Sequence, residues 1–366
     1  MDLAFLKTLY GRPGPFASVY ADLTRTTEDA SKAAELRWRA LRAELEAEHA
    51  PAGMLRAIEQ TIDEELLARR SEGLVIFAAD DEVVYRDRLP GPPRTPRATL
   101  APLPDVLPYL VERGEKVPHL IAVVDRRGGE IDCVAADGGR RHIRVRGDEE
   151  FPIRKTKAGD WNQSRFQRST ENVWKANAKK VAHEIDRAAE RCRAEAVLIA
   201  GDTRARTAVL DEVSEHVLEH TVETDKNTTV DDPTLGAELR RLLRLKTAER
   251  IMSVAERFDR ELANGQRAVE GLTATTEAVR QGRVETLLLD DAPNPADRLW
   301  VGPDPGQVAT TPDELRDEFG VTSPRQDRAD SALVRAAAAM DGELVVVPSD
   351  GPDPVLHVGA VLRYTA

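Results

Sequence analysis

The chain has 366 residues, enough for about two or three domains, and 41% of them are hydrophobic, enough to bury sizeable cores. It carries 64 Asp and Glu against 52 Lys and Arg, a formal net charge of −12, which argues against non-specific binding to free duplex nucleic acid. Aromatic residues make up 4%, too few for broad base-stacking platforms, and the two distant cysteines, Cys133 and Cys192, exclude a disulfide framework or a Cys-based zinc site.

Residues 1–105 read as a small α/β domain. Val19 and Tyr20 lie in a short strand. Ala34, Trp38, Leu41 and Leu45 recur at helical spacing and form one apolar stripe; Pro51-Ala52-Gly53 breaks the run, and Leu55, Ile58, Ile62 and Leu66 form a second stripe. Leu74–Ala79 and Glu82–Arg86 flank Asp80-Asp81, the pattern of a hairpin. Prolines 90, 92, 93, 96, 102 and 104 exclude a regular helix over 89–104, which reads as a stiff linker or an edge segment.

Residues 117–255 read as a second domain. Strands are predicted at 117–125, 130–136 and 140–146, the last alternating His142, Arg144 and Arg146 against Ile143 and Val145. A helix is predicted from about Ser164 to Arg193, a buried strand at Ala196–Ala200, a helix over 207–219, a strand at 221–223 and a long helix over 233–262 capped by Asp232. Hairpin strands followed by β/α alternation imply a mixed sheet flanked by helices. Residues 264–366 read as a third α/β domain, with helices at 265–282, 311–318 and 329–339 and strands at 284–289, 343–348 and 358–364.

One stretch departs from the acidic background. Residues 151–180 carry a net +6, so the rest of the chain carries −18. A basic strand, a loop holding Gly159, Asp160 and Trp161, and a basic helix follow one another there. A basic projection on an acidic protein is the footprint of a local phosphate contact; a solvated helix face is the alternative reading of charge alone. Two other motifs carry plainer readings. His216, Glu219 and His220 form an H-x-x-E-H pattern, but no further ligand follows, and no metal or other cofactor is expected. Gly201-Asp202-Thr203-Arg204 lacks a full glycine-rich phosphate pattern and reads as a strand-to-helix turn. No run approaches the roughly 18 apolar residues of a membrane span, and the first residues lack a secretory pattern, so a cytoplasmic protein is expected.

Four runs, 117–131, 151–185, 195–213 and 257–291, resemble the class-1 peptide-release factors of archaea and eukaryotes and their relative Pelota. Arg165-Phe166-Gln167-Arg168 matches the Arg-Phe-x-Arg helix that follows the family's Gly-Gly-Gln loop. Gly14–Tyr20 and Val358–Tyr364 resemble the bacterial branch, which includes the hibernation factor Balon. The resemblance covers roughly residues 117–366. It implies an α/β (α+β) chain of three domains: an N-terminal α/β domain (1–105), an RNase H-like middle domain (117–255) and an L7Ae-like third domain (264–366).

The resemblance further implies a factor that occupies the A site of idle or stalled ribosomes, with the ribosome and elongation factor Tu as partners. Arg154, Lys155, Lys157, Gly159, Asp160, Trp161, Asn162, Gln163, Arg165 and Arg168 are the residues expected at rRNA. Aligned without gaps, the family's Gly-Gly-Gln falls on Gly159, Asp160 and Trp161, so only the first glycine is kept. The alternative is a factor that hydrolyses peptidyl-tRNA, for which Gln163 is the sole catalytic candidate. No Asn-Ile-Lys-Ser decoding motif occurs in residues 1–105, so stop-codon reading has no support.

Overall fold

The computed structural model describes residues 1–24, 30–68, 72–147, 160–225, 229–349 and 358–365. The chain divides into two compact units. One combines Met1–Glu115 with Ile251–Ala366, and the other is Lys116–Arg250.

The chain opens with a short helix α1 (Lys7–Tyr10), then β1 (Phe16–Asp22), α2 (Ala30–Ala47), α3 (Ala52–Ala68), β2 (Gly73–Ala79), β3 (Glu82–Leu89), β4 (Arg97–Ala101) and α4 (Leu107–Arg113). The strands form an antiparallel sheet in the order β3-β2-β1-β4. The helical stripes turn inward as expected: Trp38, Leu41, Leu45, Leu55, Ile58 and Ile62 pack on one face with Ala17, Val19, Leu74 and Ile76, Leu66 is partly buried against them, and Ala34 is buried. Asp80 and Asp81 take positive φ (48° and 62°), the conformation of a two-residue hairpin turn. The proline-rich segment is an edge after all, because β4 pairs with β1 and prolines flank it on either side. β2 is buried along its whole length and β1 at every residue but Asp22. The second face of this sheet, Phe16, Tyr20, Val75 and Phe77, shares a core with Leu287, Leu289, Leu333 and Val334 from the C-terminal part of the same unit. The stretches 1–105 and 264–366 thus meet in one core.

The second unit holds β5 (His119–Asp125), β6 (Gly128–Val134), β7 (Arg140–Arg146), α5 (Asp160–Cys192), β8 (Ala196–Gly201), α6 (Thr203–Leu210), α7 (Glu215–Glu219) and β9 (Thr221–Thr224). It also contains the first part of α8 (Pro233–Ala263). The sheet order is β7-β6-β5-β8-β9: an antiparallel meander continues into parallel strands. Ala178, Val181, Ile185 and Ala189 of α5 cover Leu120, Ala122 and Ile131 on one face, while Leu235 and Leu242 of α8 pack with Ile121 and Leu198 on the other. A mixed sheet with helices on both faces is what the sequence predicts here.

Two boundaries differ from expectation. The single helix predicted over 207–219 is two, because the Ser214 side chain caps α7, accepting from Val217 N at 3.3 Å, while Asp186 of α5 accepts from Ser214 N at 3.0 Å. α5 begins at Asp160, so the backbone at Asp160 and Trp161 is helical rather than part of a loop.

The C-terminal stretch adds β10 (Ala268–Glu270), α9 (Leu272–Arg280), β11 (Val284–Asp290), β12 (Arg298–Val301), β13 (Val308–Ala309), α10 (Pro312–Phe319), β14 (Arg325–Arg328), α11 (Ala329–Ala339), β15 (Glu343–Val347) and β16 (Val358–Leu362). The main sheet runs β10-β16-β11-β15, with Leu288 packed on Phe258 of α8 and Leu287 and Leu289 facing the shared core with α9 and α11. The helix predicted from Gly265 starts only at Leu272. Val269 pairs with Ala360 in the sheet, and Gly271 turns the chain at φ 87°. Among the described residues no helix is long and apolar enough to cross a membrane.

Candidate nucleic-acid interface

The basic surface of the second unit is built on β7, the edge strand. Its sequence Arg140-Arg141-His142-Ile143-Arg144-Val145-Arg146 alternates, so Ile143 and Val145 turn inward against the α5 side while Arg140, His142, Arg144 and Arg146 line the other face. Carboxylates of β6 neutralise part of that line. Asp132 accepts from Arg140 Nε at 3.1 Å and lies 2.7 Å from His142 Nδ1, and Arg144 pairs with Glu130. Burial pushes the Asp132 carboxyl up, but the hydrogen bonds from Arg140 and His142 outweigh it, and the group sits below the usual carboxylate range. Arg141 and Arg146 are exposed and make no side-chain ion pair among the described residues. Arg127, Arg144 and Arg146 also line a shallow groove of about 290 Å³ at this end of the sheet.

The exposed face of α5 continues the pattern with Lys175 and Lys179. Trp174 is capped by Arg126, whose guanidinium carbon stands 4.4 Å above the ring, the geometry of a cation–π contact. These two side chains, with Lys175 and Arg204, line a pocket of about 160 Å³.

Asp202 closes the adjacent strand-to-helix turn. It accepts from Arg204 N and Ala205 N at 3.1 Å, and these bonds, the Ala205 bond foremost, hold its carboxyl below the usual range. The α6 N-terminus is therefore occupied by the chain's own carboxylate, which agrees with the plain turn read from the sequence. Gly201 is required there, because at φ 117° an added Cβ would stand 2.0 Å from Val124 O. Cys133 and Cys192 are both buried, and burial pushes the Cys192 thiol up to about 12, so it is no nucleophile.

The residues expected at rRNA fall around this surface in sequence. Arg154, Lys155, Lys157 and Gly159 lie outside the described residues. Asp160, Trp161, Asn162, Gln163, Arg165 and Arg168 belong to the α5 backbone, and their side chains lie outside the description as well. The structure adds Arg127, Arg141, Arg146, Arg126 and Trp174. The alternation in β7 was the available signal for Arg146; Arg141 falls at the Ile143 and Val145 positions of that alternation and Arg127 in the turn before β6, and nothing local in the sequence joins Arg126 to Trp174.

Residues 118–264 match the family described as Bacterial archaeo-eukaryotic release factor family 2. The chain is similar to that family over this stretch. The uncharacterized protein Rv2629 of Mycobacterium tuberculosis is 28% identical over 372 residues, spanning 99% of this chain and 96% of its own length. Among solved structures, ribosome-bound archaeal Pelota with ABCE1 is 15% identical, covers 100% of this chain and 94% of its own, and has a TM-score of 0.40. Archaeoglobus fulgidus Pelota is 13% identical, covers 80% of this chain and 79% of its own, and has a TM-score of 0.36.

Proposed function

We propose that this protein is a ribosome-binding translation factor of the cytoplasm that occupies the A site of idle or stalled ribosomes and keeps them inactive, as in the bacterial branch that includes Balon. The observation that carries this reading is a local excess of positive charge on an acidic chain. The arginine-rich edge strand β7 and, after the acidic run Asp148-Glu149-Glu150, the basic stretch 151–168 both lie inside the part of the chain that matches the release-factor family. Arg154, Lys155, Lys157, Arg165 and Arg168 would contact rRNA phosphates, with Gly159, Asp160, Trp161, Asn162 and Gln163 at the tip near the peptidyl transferase centre. Residues 1–105 would face the decoding side, and residues 264–366 a translational GTPase such as elongation factor Tu.

The test is sedimentation through sucrose with vacant ribosomes at two salt concentrations. The wild-type protein co-migrates, less so at higher salt, and charge reversal at Lys155, Lys157, Arg165 and Arg168 abolishes it. Co-migration unchanged by those reversals overturns the assignment.

The family description favours one second reading, hydrolysis of peptidyl-tRNA. It needs Gln163 to orient water, yet the backbone there belongs to the first turn of α5 rather than to a glycine-rich loop, and Asp160 adds a negative charge beside it. Peptide release from a loaded ribosome that disappears in Gln163→Ala would establish it.

A further inference from the structure

The H-x-x-E-H segment does more in the fold than close a helix. His216, Glu219 and His220 each present a ligand atom, and all three atoms lie within 4.8 Å of one another. The imidazole rings stand with centroids 4.9 Å apart. The residues fall at i, i+3 and i+4, His216 and Glu219 on α7 and His220 as its C-cap, which keeps them on one side of the segment. Glu219 is thus the third donor that a search downstream of the motif does not find.

The ring of His220 is already oriented. Its Nδ1 lies 2.9 Å from the His216 carbonyl oxygen, which can only accept, so Nδ1 carries the proton and Nε2 is left as a lone-pair donor. A backbone carbonyl holding the far nitrogen of a histidine is the usual support of a metal-ligating imidazole. The short helix is also firmly mounted. Ser214 caps its start and is gripped by Asp186, with Ser214 Oγ donating to Asp186 Oδ1 at 2.9 Å. Val217 is buried in the core beneath it, Thr221 Oγ1 donates to Val217 O at 2.7 Å, and Val197 N donates to His220 O at 2.9 Å, fastening the helix end to the sheet.

We propose that His216, Glu219 and His220 form a binding site for a divalent transition-metal ion of the zinc class. Two imidazoles and a carboxylate are a borderline donor set, which suits Zn²⁺, Ni²⁺ or Cu²⁺ and not Mg²⁺ or Ca²⁺. Tetrahedral ligands at about 2.0–2.2 Å stand roughly 3.3 Å apart, so side-chain torsions alone bring the three donors in. His216 and Glu219 are exposed and His220 half-buried, so the remaining coordination position opens to solvent and takes water. The site is independent of the ribosome reading, and its test uses no ribosomes.

The experiment is calorimetric titration of the full-length, tag-free protein, stripped with chelator, with Zn²⁺, paired with Co²⁺ absorption as a report on coordination geometry. One equivalent binds the wild type, with a tetrahedral-type Co²⁺ spectrum. His216→Ala and His220→Ala each weaken binding by about tenfold or more, and Glu219→Gln weakens it less. Circular dichroism checks that the variants fold, His216 and Glu219 being exposed and His220 half-buried. Absence of stoichiometric binding, or binding that the His216→Ala/His220→Ala double variant leaves unchanged, overturns the site.

Discussion

His142 Nδ1 lies 2.7 Å from Asp132 Oδ1, and the two residues are directly paired across β6 and β7. The same carboxylate holds Arg140, so one nearly buried acid anchors two basic side chains of the edge strand. Asp132→Ala releases both from the sheet. The expected cost is about 1–2 kcal/mol in chemical denaturation, held down because both partners are solvent-exposed.

The Asp132 carboxyl is lower in the fold than in the unfolded chain. The unfolded chain therefore binds the proton more readily, and this contribution is full above the ordinary aspartate value of about 3.9. It fades as pH falls through the folded value. Acid titration of the 116–250 signals by NMR should show wild-type stability dropping faster below about pH 4 than that of Asp132→Asn.

Asp327 has the opposite sign. Burial pushes its carboxyl up to about 6, against the hydrogen bonds it accepts from Arg328 N at 2.7 Å and Leu103 N at 2.6 Å. Its folded form keeps a proton that the unfolded chain has lost, so its stabilisation is full below about pH 4 and disappears as pH rises through about 6. Asp327→Asn lowers stability overall, because it replaces one of the two acceptor oxygens, and flattens the decline between pH 4 and 6. Urea melts across that range measure both; an unchanged slope contradicts the assignment.

Tyr20 joins strand β1 to the start of α4. Its hydroxyl donates to Asp105 O at 2.6 Å and accepts from Tyr109 N at 3.0 Å, and the residue is fully buried. Tyr20→Phe leaves a backbone donor and a backbone acceptor unsatisfied in the core. A loss of about 1–3 kcal/mol is expected from denaturant midpoints, with the fold retained.

Arg141 and Arg146 extend the positive surface without carboxylate partners among the described residues. If the edge strand contacts rRNA, Arg141→Ala and Arg146→Ala each weaken ribosome binding and each reduce the slope of log K against log salt by about 0.7–0.9. Binding curves at four salt concentrations distinguish this from a structural loss, which leaves the slope unchanged.

Periodic and local features of this chain were decided by sequence. The stripes of α2 and α3, the Asp80-Asp81 hairpin, the alternating strand β7 and helix α11 follow from one-sided burial or turn chemistry within a few residues, which a short window contains. The capped start of α10 at Thr311 is equally local, since Thr311 and Glu314 satisfy each other. Tertiary structure decided what depends on distant partners. β14 is Arg-Gln-Asp-Arg and has no apolar pattern; it is a strand only because β12 pairs with it. Val269 is in a strand because β16, some 90 residues later, offers an edge. The second buried face of β1 and β2 likewise finds its cover in helices of the far end of the chain. A cation over Trp174 belongs to the same class, because convergence of separate elements leaves no trace in spacing, whereas the His216, Glu219 and His220 pattern sits in one short segment and is legible in the sequence.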